Sequence, residues 1–207
     1  GIQRTSDSKF FPLNCLTKLS EKFDYERVSS QNQTPNHTTQ IELVTVGGTV
    51  LGLHVNPNGG VPKHPVASLD ITSEGCEGDR QNDLKHHGGP NRAICFMQSE
   101  VLDLLRQQGH PISPGSTGEN ILIVGLPTHE INIGTFITIG QVLAEVTGDA
   151  PPCKTIRASF SQGDFKSLSH KITPKQTRWY ARVHVEGRIH LGDKVSILNG
   201  FEPTGNR

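Results

Sequence analysis

Two segments carry side chains whose type and spacing could do chemistry. In Thr147-Gly148-Asp149-Ala150-Pro151-Pro152-Cys153-Lys154-Thr155-Ile156-Arg157 a β-type run ends at Thr147, two prolines stiffen the chain, and Cys153 follows them directly. Lys154 and Arg157 bring positive charge near the sulfur. Nearby cations favour the thiolate, the form that binds soft metals or attacks electrophiles, and a short helix starting after Pro152 would add its N-terminus to the effect. Cys153 is therefore the candidate metal ligand and catalytic residue. A thiol packed in a core strand, the bland reading, would lack these prolines and cations. Cys95, inside Ala93-Ile94-Cys95-Phe96-Met97, is that contrasting core case, and the role of Cys76 stays open.

The second segment is the polar loop from Gly75 to Arg92, long for a connection between two strands and so a candidate functional loop. It places Arg80, Lys85, His86, His87, Asn91 and Arg92 around Gly88-Gly89. Glycines let backbone N–H groups approach an anion closely, and cationic side chains add charge-assisted hydrogen bonds. A phosphate or a polyanionic cofactor fits this cradle, which also leaves pyridoxal phosphate open as an occupant. Adjacent histidines do not make a zinc site: neighbours in an extended chain point to opposite sides, and the cysteines do not complete a zinc constellation. A third segment, Gly115-Ser116-Thr117-Gly118-Glu119-Asn120, could close one wall of a pocket or be a plain turn before a strand.

These residues must be positioned by short elements. From Ile41 the sequence alternates β-type runs with Gly, Pro and Asn punctuation. Val50 to Val55 puts Leu51, Leu53 and Val55 on one face. Val66 to Ile71, Ala93 to Met97, Asn120 to Val124, Thr135 to Ile139, Val142 to Thr147, Trp179 to Val185 and Lys194 to Leu198 complete about eight expected strands. Gly140-Gln141 is a two-residue hairpin signal, and Glu186-Gly187 and Gly192-Asp193 read as turns. One helix is expected, capped by Ser99, with Val101, Leu102 and Leu105 as its apolar stripe and Gly109 as its stop. Many strands, one helix and no βαβ rhythm argue for a mainly β chain: a closed β-barrel with short helical insertions.

The length of 207 residues suits one domain plus tails. Residues 1–40 read as a flexible tail or linker, polar and without apolar period from Ser29 to Gln40, ahead of a barrel domain over 41–207. With 20 basic and 20 acidic side chains, no global field attracts nucleic acid or an anionic membrane surface. No apolar run spans a bilayer and no secretory signal opens the chain, so a cytoplasmic protein is expected. Four cysteines without a C-x-x-C pair fit reduced thiols. Gly1 at the start and Met97 as the single methionine suggest a processed chain.

Together the segments resemble the MOSC family, named for the C-terminal domain of molybdenum cofactor sulfurase, and in particular its small stand-alone bacterial members. The matching pieces, in the family's order, are Gly59-Gly60-Val61-Pro62-Lys63, Gly78-Asp79-Arg80 with His86-His87-Gly88-Gly89-Pro90, Ser116-Thr117-Gly118-Glu119-Asn120, and Pro152-Cys153-Lys154. The likeness runs from about Val50 to Ile197. It implies a β-barrel that binds a molybdopterin-type molybdenum cofactor, with Cys153 as the metal ligand. The matched Lys63, Thr117, Glu119 and Asn120 join the loop residues, Lys154 and Arg157 as cofactor contacts. Related members reduce N-hydroxylated compounds such as hydroxylaminopurines and amidoximes. With no flavin, nicotinamide or iron–sulfur signature in the sequence, a reductase would need a small-molecule substrate and a separate electron-donor protein. The alternative is a non-catalytic cofactor carrier or sulfur-transfer module. Arg178, Trp179 and Tyr180 are expected rim contacts, with at least one of the two aromatics in the core. Many stand-alone relatives carry a three-helix domain after the barrel, and since the sequence stops at Arg207 that pocket wall is expected to be missing.

Overall fold

The computed structural model describes residues 45–80 and 88–198. The N-terminal segment expected to be a tail, and Lys85, His86 and His87, lie outside these residues.

Eleven strands occur among the described residues: β1 (Thr45–Val55), β2 (His64–Pro65), β3 (Ser68–Thr72), β4 (Gly75–Cys76), β5 (Ile94–Gln98), β6 (Ile121–Val124), β7 (Phe136–Ile139), β8 (Val142–Ala150), β9 (Arg178–Val185), β10 (Gly187–His190) and β11 (Lys194–Leu198). Seven close into a barrel in the order β1-β11-β7-β8-β9-β5-β6, with β6 pairing back onto β1. Closure satisfies backbone groups that short strands would otherwise leave on an open edge. β2 hangs on β1, and β10, β3 and β4 form a separate three-stranded sheet. The interior is apolar, with Ile94, Phe96, Ile121, Ile137, Val146 and Trp179 each at most 2% exposed.

Several details depart from the reading of the sequence. Leu51 does not share a face with Leu53 and Val55. The register between β1 and β6 slips between Val50 and Gly52, which makes Leu51 the extra residue of a bulge and leaves it exposed, while Val50 turns inward. Strand β3 starts at Ser68 rather than Val66. Gly75–Cys76 and Gly187–His190, expected in a loop and beside a turn, are strands because each finds a partner on β3. One β–α–β unit is present: β5 and β6 pair in parallel, joined through helix α1 (Ser99–Gln107).

The N-cap of α1 is Gln98 rather than Ser99, whose hydroxyl donates to the Glu100 carboxylate. Val101, Leu102 and Leu105 pack with Met97, Leu122, Ile112, Ile156, Phe160 and Leu168 in a second core outside the barrel. Ile156 and Phe160 flank the residues after Cys153. Burial of such side chains, about 1.5–3 kcal/mol each, therefore anchors the segment that carries the candidate ligand. Among the described residues no helix is long and apolar enough to cross a membrane.

Candidate functional site

The site is built on the outer face of β5, β8 and β9. Side chains alternate across a strand, so Trp179, Ala181 and Val183 of β9 fill the barrel while Tyr180 points outward to a small cluster with Cys95 and Ala150. β8 reaches this face through a bulge: Val146 pairs with Ala181, but Gly148 already pairs with Tyr180. The extra residue, Thr147, brings Ala150 onto the outer side instead of the core side. Pro151-Pro152 continue from there, and Cys153 sits at the cap position of a 3-10 turn over Lys154–Ser159. Cys153 is half-buried, whereas Cys76 and Cys95 are buried. Burial pushes the Cys76 thiol up to about 12 and raises that of Cys95 as well. The Cys153 sulfur shares a hydrogen bond of 2.8 Å with the Thr155 hydroxyl.

The Gly88–Arg92 end of the polar loop lies across the same face. Pro90–Arg92 forms a 3-10 turn. The Thr147 hydroxyl donates to the Asn91 carbonyl oxygen at 2.5 Å, and Arg182 donates through Nε (2.9 Å) and Nη2 (2.6 Å) to Asn91 Oδ1. The Arg92 guanidinium stands 5.6 Å from the centroid of the Tyr180 ring. Burial, then the neighbouring Cys95, pushes the Tyr180 phenol up to about 12, opposed by Arg178 and Arg92. Tyr180 thus brings Arg92, through its ring, onto the face that carries Cys95 and Ala150, from which the chain runs through Pro151-Pro152 to Cys153.

The other expected contacts are placed behind this face. Lys63 Nζ makes a 2.6 Å ion pair with Asp79 Oδ2, and both side chains are buried. Asp79 also accepts from the Asn56 backbone N–H at 2.8 Å and from Asn120 Nδ2 at 3.0 Å. Asn120 in turn donates to the His54 carbonyl and through its backbone N–H to the Cys95 carbonyl. This network holds the Gly78-Asp79-Arg80 end of the loop, where the Arg80 N–H donates to the Asn56 carbonyl and the side chain is exposed. The charge of Lys63 is committed to Asp79. Glu119, fully buried, accepts from the Gly115 N–H at 2.5 Å and the Thr117 hydroxyl at 2.6 Å. Gly115 has φ 77°, and a Cβ there would run into the Lys63 carbonyl oxygen. Thr117, Glu119 and Asn120 therefore shape the wall with their side chains turned inward. Lys154 and Arg157 are exposed, with Arg157 packed beside Gly163.

Three residues in this arrangement are not singled out by local pattern. Thr155, Thr147 and Arg182 act through partners distant in sequence or on a neighbouring turn. Of the expected rim residues, Trp179 is barrel core, and Arg178 is 5% exposed with its guanidinium on backbone carbonyls. A cavity of about 180 Å³ is lined by Cys76, Asp79, Gly88 and Arg92 among others.

Barrel, motif order and outward-facing cysteine define one class of protein, and the chain belongs to the MOSC domain family, whose model matches residues 83–196, more than half of the chain. The uncharacterized protein YflK of Bacillus subtilis (strain 168) is 30% identical over 146 residues, covering 69% of this chain and 65% of that protein. Protein YiiM of Escherichia coli (strain K12) is 31% identical over 135 residues, covering 63% and 59%. The chain thus spans less than two thirds of the length of either relative. The crystal structure of YiiM from Escherichia coli matches with a TM-score of 0.56 at 22% identity, covering 75% of this chain and 71% of that one. The YUAD protein from Bacillus subtilis matches with a TM-score of 0.60 at 16% identity, covering 74% and 96%. At these identities the structures speak for the fold.

Proposed function

We propose that this protein binds a pterin-type molybdenum cofactor through Cys153 and reduces N-hydroxylated compounds, hydroxylaminopurines and amidoximes, with electrons from a separate donor protein. The observation that carries the reading is that the half-buried Cys153 follows directly on Ala150-Pro151-Pro152, with Ala150 in one cluster with Tyr180, whose ring centroid lies 5.6 Å from the Arg92 guanidinium.

The residues present fit such a group. A thiolate is the soft ligand that a molybdenum centre takes, and Cys153 is the described cysteine that is not buried. Gly88 and Gly89 have φ 76° and 79°, and among the described residues nothing lies within 4 Å of where a Gly89 Cβ would stand, which leaves the backbone there open to an anion. Asn91, with its Oδ1 occupied by Arg182, keeps amide N–H groups for an acceptor. Arg80, Arg92, Lys154 and Arg157 supply the positive charge for a phosphate-bearing pterin. Lys63, Thr117, Glu119 and Asn120 hold the walls from behind.

When bound, the cofactor would pass two electrons to the N–O bond. Reduction of R–NHOH to R–NH2 also takes up two protons and releases water. The chain's own part is to bind, orient and hold protons. The Thr155 hydroxyl donates to the Cys153 sulfur when that sulfur is a thiolate, fixing its direction. Tyr180, its phenol pushed up to about 12 by burial, keeps its proton at Oη across neutral pH. A cytoplasmic location goes with this reading, which uses a reduced thiol.

Protein expressed in a cofactor-competent host and assayed with a chemical reductant and 6-hydroxylaminopurine tests the proposal. Molybdenum-loaded protein should form the amine. Retention of molybdenum without N–O reduction across several such substrates would favour the carrier reading instead.

A further inference from the structure

The two walls of the candidate site are joined by Arg178, which the sequence offers only as a rim contact. Arg178 opens β9 opposite Ala150, the last residue of β8. Its Nη1 donates to the Thr117 carbonyl oxygen, and its Nη2 donates to the carbonyls of Ala150 (3.2 Å) and Pro151 (3.3 Å). One guanidinium thus spans the Ser116–Asn120 wall and the segment leading into Cys153. Among the described residues no carboxylate pairs with it and its Nε has no partner, and its side chain is 5% exposed. A buried cation held on carbonyls alone is costly to desolvate, so its placement is not explained as a stability device. What the planar fork does supply is geometry: parallel N–H donors fix their acceptors in direction as well as distance. The neighbouring tie, Ser159 Oγ donating to the Ser116 carbonyl at 3.0 Å, joins the same two walls beyond the cysteine.

We propose that Arg178 is the positioning residue for Cys153, clamping the Ala150-Pro151 carbonyls to the Thr117 carbonyl so that the sulfur is presented at a fixed place on the site's wall. The proposal deepens the cofactor-binding reading and rests on it for the purpose of the sulfur, but its geometry is testable without cofactor. In a Cys15→Ser background, so that a small alkylating reagent reports Cys153 and not the N-terminal cysteine, Arg178→Gln and Arg178→Lys are compared with the parent at one pH. Both variants should raise amide exchange at Thr117–Glu119 and Cys153–Thr155. Both should also change the Cys153 alkylation rate about ten-fold, the factor given by losing roughly one net hydrogen bond. Lysine should fail to rescue, because an ammonium keeps the charge but not the fork. Exchange in the barrel strands should stay as in the parent.

Unchanged exchange and alkylation, rescue by lysine, or a uniform rise in exchange across the barrel would each overturn the proposal, the last by making Arg178 a general stability residue. Molybdenum content of the parent is measured alongside. Its absence with the local loosening intact would defeat the cofactor reading and leave the clamp standing.

Discussion

The Cys153 sulfur and the Thr155 hydroxyl oxygen lie 2.8 Å apart at the start of the 3-10 turn that follows Pro151-Pro152. The contact is local, two residues along the chain, yet it sets which way the candidate ligand points. Groups that orient a ligand in this way commonly contribute about 10–100-fold to metal affinity. Thr155→Val should therefore lower molybdenum retention by about that factor, while Thr155→Ser keeps it. Metal analysis of the purified variants decides, and equal metal in all three would remove Thr155 from the site.

The Lys63–Asp79 pair gives a second expectation. At 2.6 Å and buried on both sides, it behaves as a structural ion pair. Asp79→Ala should cost about 3–5 kcal/mol by leaving a buried ammonium unpaired. Replacing both residues with apolar ones should cost less than this single change. Denaturant unfolding of Asp79→Ala, Lys63→Met and the double variant is the check, and additive losses would show that the pair is not coupled.

How far the sequence reveals the site follows from where each partner lies. Cys153 and Gly88-Gly89 are legible because their chemistry is local: prolines, cations and glycines stand beside them in the chain. The ion pair of Lys63 is not legible because its carboxylate is 16 residues away and meets it only through tertiary structure. Arg178 and Tyr180 are expected only as rim contacts. Their roles depend on the Thr147 bulge, which changes the face on which β8 leaves the barrel, and a one-residue slip of this kind leaves no mark in the apolar pattern. The same limit applies to Leu51. The two-residue turn at Gly140-Gln141 and the strand Lys194–Leu198 are read correctly because a hairpin signal and strict alternation need no distant partner.

His54 sets a pH dependence of stability. Burial holds its imidazole below the ordinary value of 6.5, opposed by Glu119 and aided by Lys63. The folded state therefore binds this proton less readily than the unfolded chain. The contribution is fully present above pH 6.5 and is lost as pH falls through the lower folded value. The melting temperature should drop on acidification below 6.5, and His54→Gln should flatten that drop. A profile equally steep in the variant would assign the effect to other groups.

Residues 1–40, proposed as a segment separate from the barrel, carry little periodic apolar sequence to bury. Their removal should move the melting temperature by no more than about 2 °C. A larger fall would show that the barrel depends on them.

The most direct measurement is molybdenum per chain in the wild type and in Cys153→Ser, both purified from a host that makes the cofactor. The half-buried sulfur, unlike Cys76 and Cys95, is placed to meet a ligand from outside. The wild type should carry near-stoichiometric molybdenum and the serine variant should lose most of it, with melting temperatures within about 3 °C of each other. Full molybdenum in the serine variant, or none in the wild type, would contradict Cys153 as the metal ligand.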